Sequence, residues 1–343
     1  MAKYLFVLGR DRILSREELF SKVKGEILLE EEDILILELD EFDQTIDDFG
    51  GIIKLGNEIN LSSIELNKDK IKLAVNSQII IDVLKPRLKD LRVKYAITKL
   101  EIPEIKPSDY EILEVDKRFF LMQASSPKEY KKRDEVRPRF DEKKVTSIRL
   151  AKILINLSKA KKEILDPFCG CGTILQEALL KNLNAYGLDL DLQDSKENLS
   201  WLRQNFKINK KFTLQRGDVR NLSKYFKQVE CIVTEPYLGP YLKTYPPRRK
   251  AIGIIDEVSK LYSLFLREAS KIVKHRLIIL TPIIKTKEKQ RIRLNFKDLI
   301  REFNFHAVTE PITYKLKRSI IEREIWILEH KSKPILKNKF RKP

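Results

Sequence analysis

Residues 163–189 read EILDPFCGCGTILQEALLKNLNAYGLD: a short apolar strand closing on an acid, a glycine-bearing turn, a helix, and a second strand closing on another acid. Such a unit commits its part of the chain to a parallel sheet, because strands joined through a helix return in the same direction. The turn lets a ligand approach the backbone at the helix N-terminus, and the acid about twenty residues on is placed for ribose hydroxyls. The unit is built to hold a nucleoside. Two familiar ligands are disfavoured by the details. DPFCGCGT lacks the Lys-Ser or Lys-Thr of a P-loop, and Leu175 stands where a dinucleotide fingerprint has its third glycine, so neither ATP nor NAD is the expected cofactor.

The alternation continues on both sides. The patterns predict a helix over 145–157, with Ile148, Ala151, Leu154 and Ile155 on one face, placed to cover the cofactor cleft. Strand 163–165, helix 173–181, strand 185–188, helix 192–206 and strands 212–215 and 231–234 follow. Helix 254–273, strand 276–280 and two last strands over 306–313 and 324–329 complete the series. This is a doubly wound, mostly parallel α/β domain with its ligand outside the carboxyl ends of the strands.

Acids stand at those ends. Asp166 closes the first strand, Asp189 the second and Asp218 the third, with Gly170 and Gly172 in the turn and the helix from Thr173 directing its amides at a carboxylate. Asp189 is placed for both ribose hydroxyls, and Asp218 for an adenine amino group with Val219 against the ring; Phe168 and Leu190 complete the expected cofactor residues. Singly, each acid reads as a turn or helix cap. Three at successive strand ends describe a site for S-adenosylmethionine. The fourth strand ends in Thr234-Glu235-Pro236-Tyr237-Leu238-Gly239. Methylating an exocyclic base amine is difficult because its lone pair is delocalised, and it needs acceptors that draw the amine into line and an aromatic to stack on the base. Glu235, Pro236 and Tyr237 are the catalytic candidates.

Charge names the partner. Sixty-eight Lys and Arg against 50 Asp and Glu give +18, which attracts a polyanion far more readily than a neutral metabolite. The surplus falls mainly after residue 110, in clusters at 131–139, 243–250, 285–293 and 331–342, whereas 26–48 is acidic. Phosphate contacts are expected from Arg133, Arg137, Arg139, Lys243, Arg248 and Arg249. Three cysteines without CxxC spacing support neither disulfides nor zinc. No stretch has the length of a membrane span or a signal peptide, so a cytoplasmic monomer without metal is expected.

The first half predicts a smaller α+β unit: strand 4–8, a helix opened by a Ser15/Glu18 capping box and stopped at Gly25, strands 34–39 and 52–55, a helix over 83–95 with Pro86 in its first turn, and a strand pair over 110–122.

DPFCGCGT, GLDLD, GDV and TEPYLG, preceded by YKKRDEVRPRFDEKKVTSIRLAKILINLS, resemble the tRNA guanine N2-methyltransferases that join an N-terminal THUMP region to a Rossmann-like catalytic domain. The likeness covers about 126–330, and YLFVLGRDRILSREEL and FGGIIKLG resemble the same family's N-terminal region. It implies a seven-stranded Rossmann-like methyltransferase domain over 151–330, a linker and cofactor-covering segment over 126–150, a ferredoxin-like plus reduced THUMP-like RNA-binding region over 1–125, and a basic tail over 331–343. It also implies methyl transfer from S-adenosylmethionine to a guanosine N2 in tRNA, at position 10 in the best-known members. Arg133, Asp134, Arg137 and Pro138 match the segment ahead of the cofactor helix. One departure is plain: the family motif is Asp or Asn, two prolines and an aromatic, where this chain has Glu235, one proline, Tyr237 and Leu238. Ribosomal RNA or DNA amine methylation, and RNA binding without catalysis, stay open.

Overall fold

The computed structural model describes residues 1–124, 127–140, 146–315 and 319–330. They belong to two compact units, one up to Lys132 and one from Arg133.

The first unit runs β1 (Ala2–Leu8), α1 (Arg12–Lys22), β2 (Glu26–Glu30), β3 (Ile34–Leu39), β4 (Ile52–Ile59), β5 (Lys70–Val75), α2 (Gln78–Asp90), β6 (Lys94–Lys99), β7 (Tyr110–Val115) and β8 (Arg118–Ala124), with α3 (Pro127–Val136) leading out of it. Its eight strands form one mixed sheet in the order β2-β3-β1-β4-β8-β7-β5-β6. Leu19 of α1 packs with Phe6, Leu35 and Leu37, whereas Ile80, Leu84 and Leu88 of α2, four residues apart, pack on Leu73, Val75 and Ile112.

Two local expectations are corrected. Ser15 and Glu18 form no capping box, since α1 begins at Arg12 and both lie inside it. Buried Glu18 instead accepts the Gly50 and Gly51 amides (2.8 and 2.6 Å), and the Ser15 hydroxyl donates to the Gly51 carbonyl (3.0 Å), which ties the helix to the FGG loop. The second helix begins at Gln78 behind the Ser77 cap, so Pro86 sits within it and not in its first turn. Strands β2, β5 and β6 escaped the sequence: β2 and β6 bury no residue and so carry no strong apolar run, and β5 alternates lysine with apolar residues only over its first four positions.

The second unit holds α4 (Ile148–Ser158), β9 (Glu163–Asp166), α5 (Thr173–Leu180), β10 (Asn184–Asp189), α6 (Gln193–Asn205), β11 (Phe212–Arg216), α7 (Leu222–Tyr225), β12 (Cys231–Thr234), α8 (Arg248–Ile272), β13 (Arg276–Lys285), β14 (Arg291–Arg293), α9 (Phe296–Glu302), β15 (Phe305–Ala307), β16 (Ile312–Tyr314) and β17 (Ile321–His330). The sheet path is β11-β10-β9-β12-β13-β17-β15, with β14 on β13 and β16 on β17. The first five strands are parallel, and β17 runs antiparallel between β13 and β15. The order reverses between β9 and β12, which makes that gap the switch point where α/β sheets take their ligands.

Here too the structure revises details. The expected cover helix is α4, but it is buried along its length and packs against α5, β12 and β13; none of its residues lines the cleft, which Thr146 ahead of it does. The expected strand over 306–313 is two short strands, β15 and β16, each paired separately with β17. The long helix starts at Arg248, directly after Pro246-Pro247, so Arg248 and Arg249 form its first turn.

The first unit buries an ion pair, Lys54 Nζ to Glu111 Oε1 at 2.5 Å. Burial presses the Lys54 ammonium below and the Glu111 carboxyl above their ordinary values, and their mutual hydrogen bond opposes both shifts. Lys54→Met should therefore destabilise the protein by about 3–5 kcal/mol in urea unfolding, by stranding Glu111, and adding Glu111→Leu should recover most of the loss. A double variant no more stable than the single one would contradict this.

Candidate active site

A cleft of about 1120 Å³ opens at the carboxyl ends of β9, β10 and β12. Asp166, Phe168, Gly170, Thr173, Asp189, Leu190, Asp218 and Val219 line it, and so do Glu235, Pro236 and Tyr237. Among the expected cofactor and catalytic residues only Gly172 is set back, as the left-handed N-cap of α5 (φ +81°) against Ser195.

Each acid is held differently. Asp166 is 2% exposed, and its Oδ1 accepts from the Thr234 hydroxyl (2.7 Å) and the Phe168 amide (3.1 Å). Burial pushes its carboxyl up to about 7, and Asp189 and Glu235 add to the rise. Asp189 Oδ2 accepts the Gly170 amide at 2.8 Å and so spans the glycine turn. Asp218 caps the following turn by accepting the Arg220 amide (2.9 Å), and the Arg220 guanidinium bonded to it holds its carboxyl below the usual range. Glu235 Oε1 accepts from Arg323 Nε (2.5 Å), and its Oε2 from the Thr146 hydroxyl (2.6 Å). The turn after it is fixed by buried Tyr262 of α8, whose hydroxyl lies 3.3 Å from the Tyr237 carbonyl and 3.1 Å from that of Leu280.

These residues fit a cationic nucleoside. Gly170 adopts φ +47°, and no atom lies within 4 Å of where a Cβ would stand, so ligand atoms have room above the turn. The acids supply acceptors for hydroxyl and amino groups and negative charge to balance a cation. Val219 offers an apolar wall, and Phe168 is braced on Phe265 in a T-shaped pair with ring centroids 5.6 Å apart. Among the described residues no three His, Cys, Asp or Glu side chains gather where they could hold a metal ion, and no helix is long and apolar enough to cross a membrane.

The expected phosphate contacts divide. Arg137 is corrected: it is 4% exposed, donates to the Thr173 hydroxyl (2.9 Å) and faces Asp134 at 3.2 Å, so its charge is spent inside the fold. Arg133 pairs with buried Glu177, and Arg139 grips Glu197 through two bonds (2.8 and 2.9 Å). These arginines fasten the segment ahead of the sheet to α5 and α6. The cluster over 285–293 is also turned to structural use, since Lys285 and Arg291 pair with Glu322, and Arg293 with Glu324. Lys243, Arg248 and Arg249 are exposed, and the Arg248 backbone amide donates to the Glu288 carboxylate (3.1 Å). The cluster over 331–342 lies outside the described residues.

Sequence reasoning missed Thr146, Thr234, Tyr262 and Arg323. Only Arg323 left a signal, as an arginine in an otherwise core strand, flanked by two glutamates that face the other way.

The parallel sheet and the cleft at its switch point define a Rossmann-like methyltransferase fold. Its likeness extends to TrmN from Thermus thermophilus, with a TM-score of 0.52 over 96% of this chain and 100% of that one, at 16% identity, which bears on fold alone. Residues 137–309 match the model of the RMKL-like methyltransferase domain, and the chain belongs to that family. It is also similar to two archaeal proteins named tRNA (guanine(10)-N2)-dimethyltransferase. That of Methanothermobacter thermautotrophicus is 37% identical over 128 residues, 36% of this chain and 34% of the relative; that of Pyrococcus abyssi is 32% identical over 160 residues, 45% and 44%. The chain thus matches less than half the length of these relatives.

Asp166 makes a pH test available. Its folded value of about 7 lies above the unfolded value near 3.9. The native state therefore binds the extra proton between about pH 4 and 7, and stability falls as pH rises through that window. Asp166→Asn removes the slope. In ligand-free urea unfolding its stability relative to wild type should rise between about pH 5 and 8, whereas parallel pH profiles would show that Asp166 is not held in its acid form.

Proposed function

We propose that this protein uses S-adenosylmethionine to methylate the exocyclic N2 amine of a guanosine in tRNA. The observation that carries the reading is the position of Glu235: an acceptor at the tip of β12, facing the same cleft as Asp166, Asp189 and Asp218. The archaeal relatives' names supply the substrate class and the exposed Lys243, Arg248 and Arg249 supply cationic contacts for a phosphate backbone. The first unit is proposed to contribute further RNA contacts.

Asp189 would hold the ribose hydroxyls, Asp218 and Val219 the adenine, and the Gly170 turn with Thr173 the amino-acid end. Bound there, S-adenosylmethionine supplies an electrophilic methyl group. The protein's part is to orient the amine: Glu235 accepts the proton that the nitrogen sheds as it becomes tetrahedral, and half-exposed Tyr237 offers a ring on which the base stacks.

Calorimetric titration with S-adenosylmethionine should give micromolar affinity, about 8 kcal/mol, weakened at least about tenfold by Asp189→Ala. No binding at millimolar ligand would remove the enzyme reading. Incubation with unmodified tRNA and labelled cofactor, followed by mass spectrometric mapping, should yield N2-methylated guanosine; label only in ribosomal RNA or DNA would overturn the substrate.

Two variants separate the roles. Glu235→Ala should leave cofactor affinity nearly intact and slow the chemical step by about a hundredfold or more in single-turnover transfer. An equal rate would remove residue 235 from the chemistry. Replacing Arg248 and Arg249 with alanine should weaken RNA binding and flatten its dependence on salt, and an unchanged salt slope would place both off the RNA path.

A further inference from the structure

The question of what orients Glu235 presupposes the base-methylating function proposed above. A glutamate reaches its carboxylate through three torsions, and one left to swing would meet a substrate amine in the right geometry only part of the time. Here neither oxygen is left to swing. Arg323 Nε donates to Oε1 at 2.5 Å and the Thr146 hydroxyl to Oε2 at 2.6 Å. The ion pair is largely shielded from water, with 16% and 13% of the two side chains exposed.

The two donors come from elements far apart in sequence. Thr146 precedes the Ser147 cap of α4. Arg323 lies in β17, where pairing with Pro282 of β13 on one side and Tyr314 of β16 on the other fixes its backbone. Thr146, Glu235 and Arg323 all line the cleft. Glu235 is the only carboxylate paired with Arg323 among the described residues. Carboxylate oxygens each offer two acceptor sites, so one donor on each leaves one site per oxygen for the substrate.

We propose that Arg323 and Thr146 are positioning residues for the methylation: they hold the Glu235 carboxylate in one orientation, with an acceptor site left on each oxygen for the substrate amine. Arg323 supplies the charge that keeps a partly buried anion in place, and Thr146 fixes its rotation about the last torsion. Neither need touch the base.

The test is a double-mutant cycle read in two ways. In single-turnover transfer to tRNA, Arg323→Ala should lower the rate by about tenfold to a hundredfold while cofactor Kd and RNA KM stay within about twofold. Arg323→Lys, which keeps the charge but offers a point donor, should recover part of the loss. Thr146→Ser should keep the rate and Thr146→Val lower it. In a Glu235→Gln background, Arg323→Ala should cost no more than about a further twofold, because the anion it positions is gone. An equal loss in both backgrounds, or a loss confined to RNA KM, would overturn the assignment.

The second reading needs no substrate. Urea midpoints of wild type, Arg323→Ala, Glu235→Gln and the double variant should be less than additive, since either single change breaks the same pair. Additive midpoints would overturn the clamp whether or not the protein methylates RNA. Coupled midpoints in a wild type that transfers no methyl group would instead refute the function, and with it the clamp's task of orienting an amine, while the ion pair itself stood.

Discussion

Crowding of carboxylates at one edge of the second unit's sheet is the constraint on which the rest of the site depends. Parallel strands that end together bring Asp166, Asp189 and Glu235 into one cleft, and like charges in a partly desolvated space repel. The repulsion registers in Asp166, whose carboxyl rises chiefly from burial and further from Asp189 and Glu235. Each acid is quieted by a separate partner: a hydroxyl for Asp166, a backbone amide for Asp189, and guanidinium groups for Asp218 and Glu235. The partners differ in strength, so the acids are not interchangeable. Those with the weaker hydroxyl and amide partners stand on either side of the glycine turn, where a cationic nucleoside would lie.

The chain's positive charge is distributed by the same logic. Much of what looked like a polyanion surface is consumed within the fold: Arg133 and Arg137 brace α5, Arg139 holds α6, and Lys285, Arg291 and Arg293 neutralise two glutamates of β17. Those glutamates are themselves buried, which explains why so many cations gather near them. Lys243, Arg248 and Arg249, beside the exposed tyrosines 241 and 245, are among the cations that face solvent. Counting charges in sequence therefore overstates the RNA-facing share, because a surplus says nothing about which cations have buried acids to answer.

The second unit was legible because its elements are apolar and regularly spaced. Strands β9, β10 and β12 and helix α5 sit within a residue or two of expectation, and the acids at their ends follow from topology alone. What the sequence could not convey was partnership. Thr146 and Arg323 are separated from Glu235 by about ninety residues on either side, and no local pattern links a threonine before one helix, a strand arginine and an acid at a turn. Tyr262 stands among the buried apolar positions of α8, and nothing in its surroundings in sequence shows that its hydroxyl braces the turn that carries Tyr237. In the first unit strands β2 and β6 bury no residue and so offered no apolar run to read, and the Ser15 and Glu18 pair imitated a cap while serving a loop 32 or more residues away.

The central claim is that one cleft holds a nucleoside on the acids of β9 and β10 and presents its sulfur to the acceptor on β12. A crystal structure with S-adenosylhomocysteine bound tests it most directly. The ribose hydroxyls should lie on the Asp189 carboxylate and the sulfur should face Glu235 across the cleft. A nucleoside found elsewhere, or a sulfur turned away from Glu235, would contradict the account.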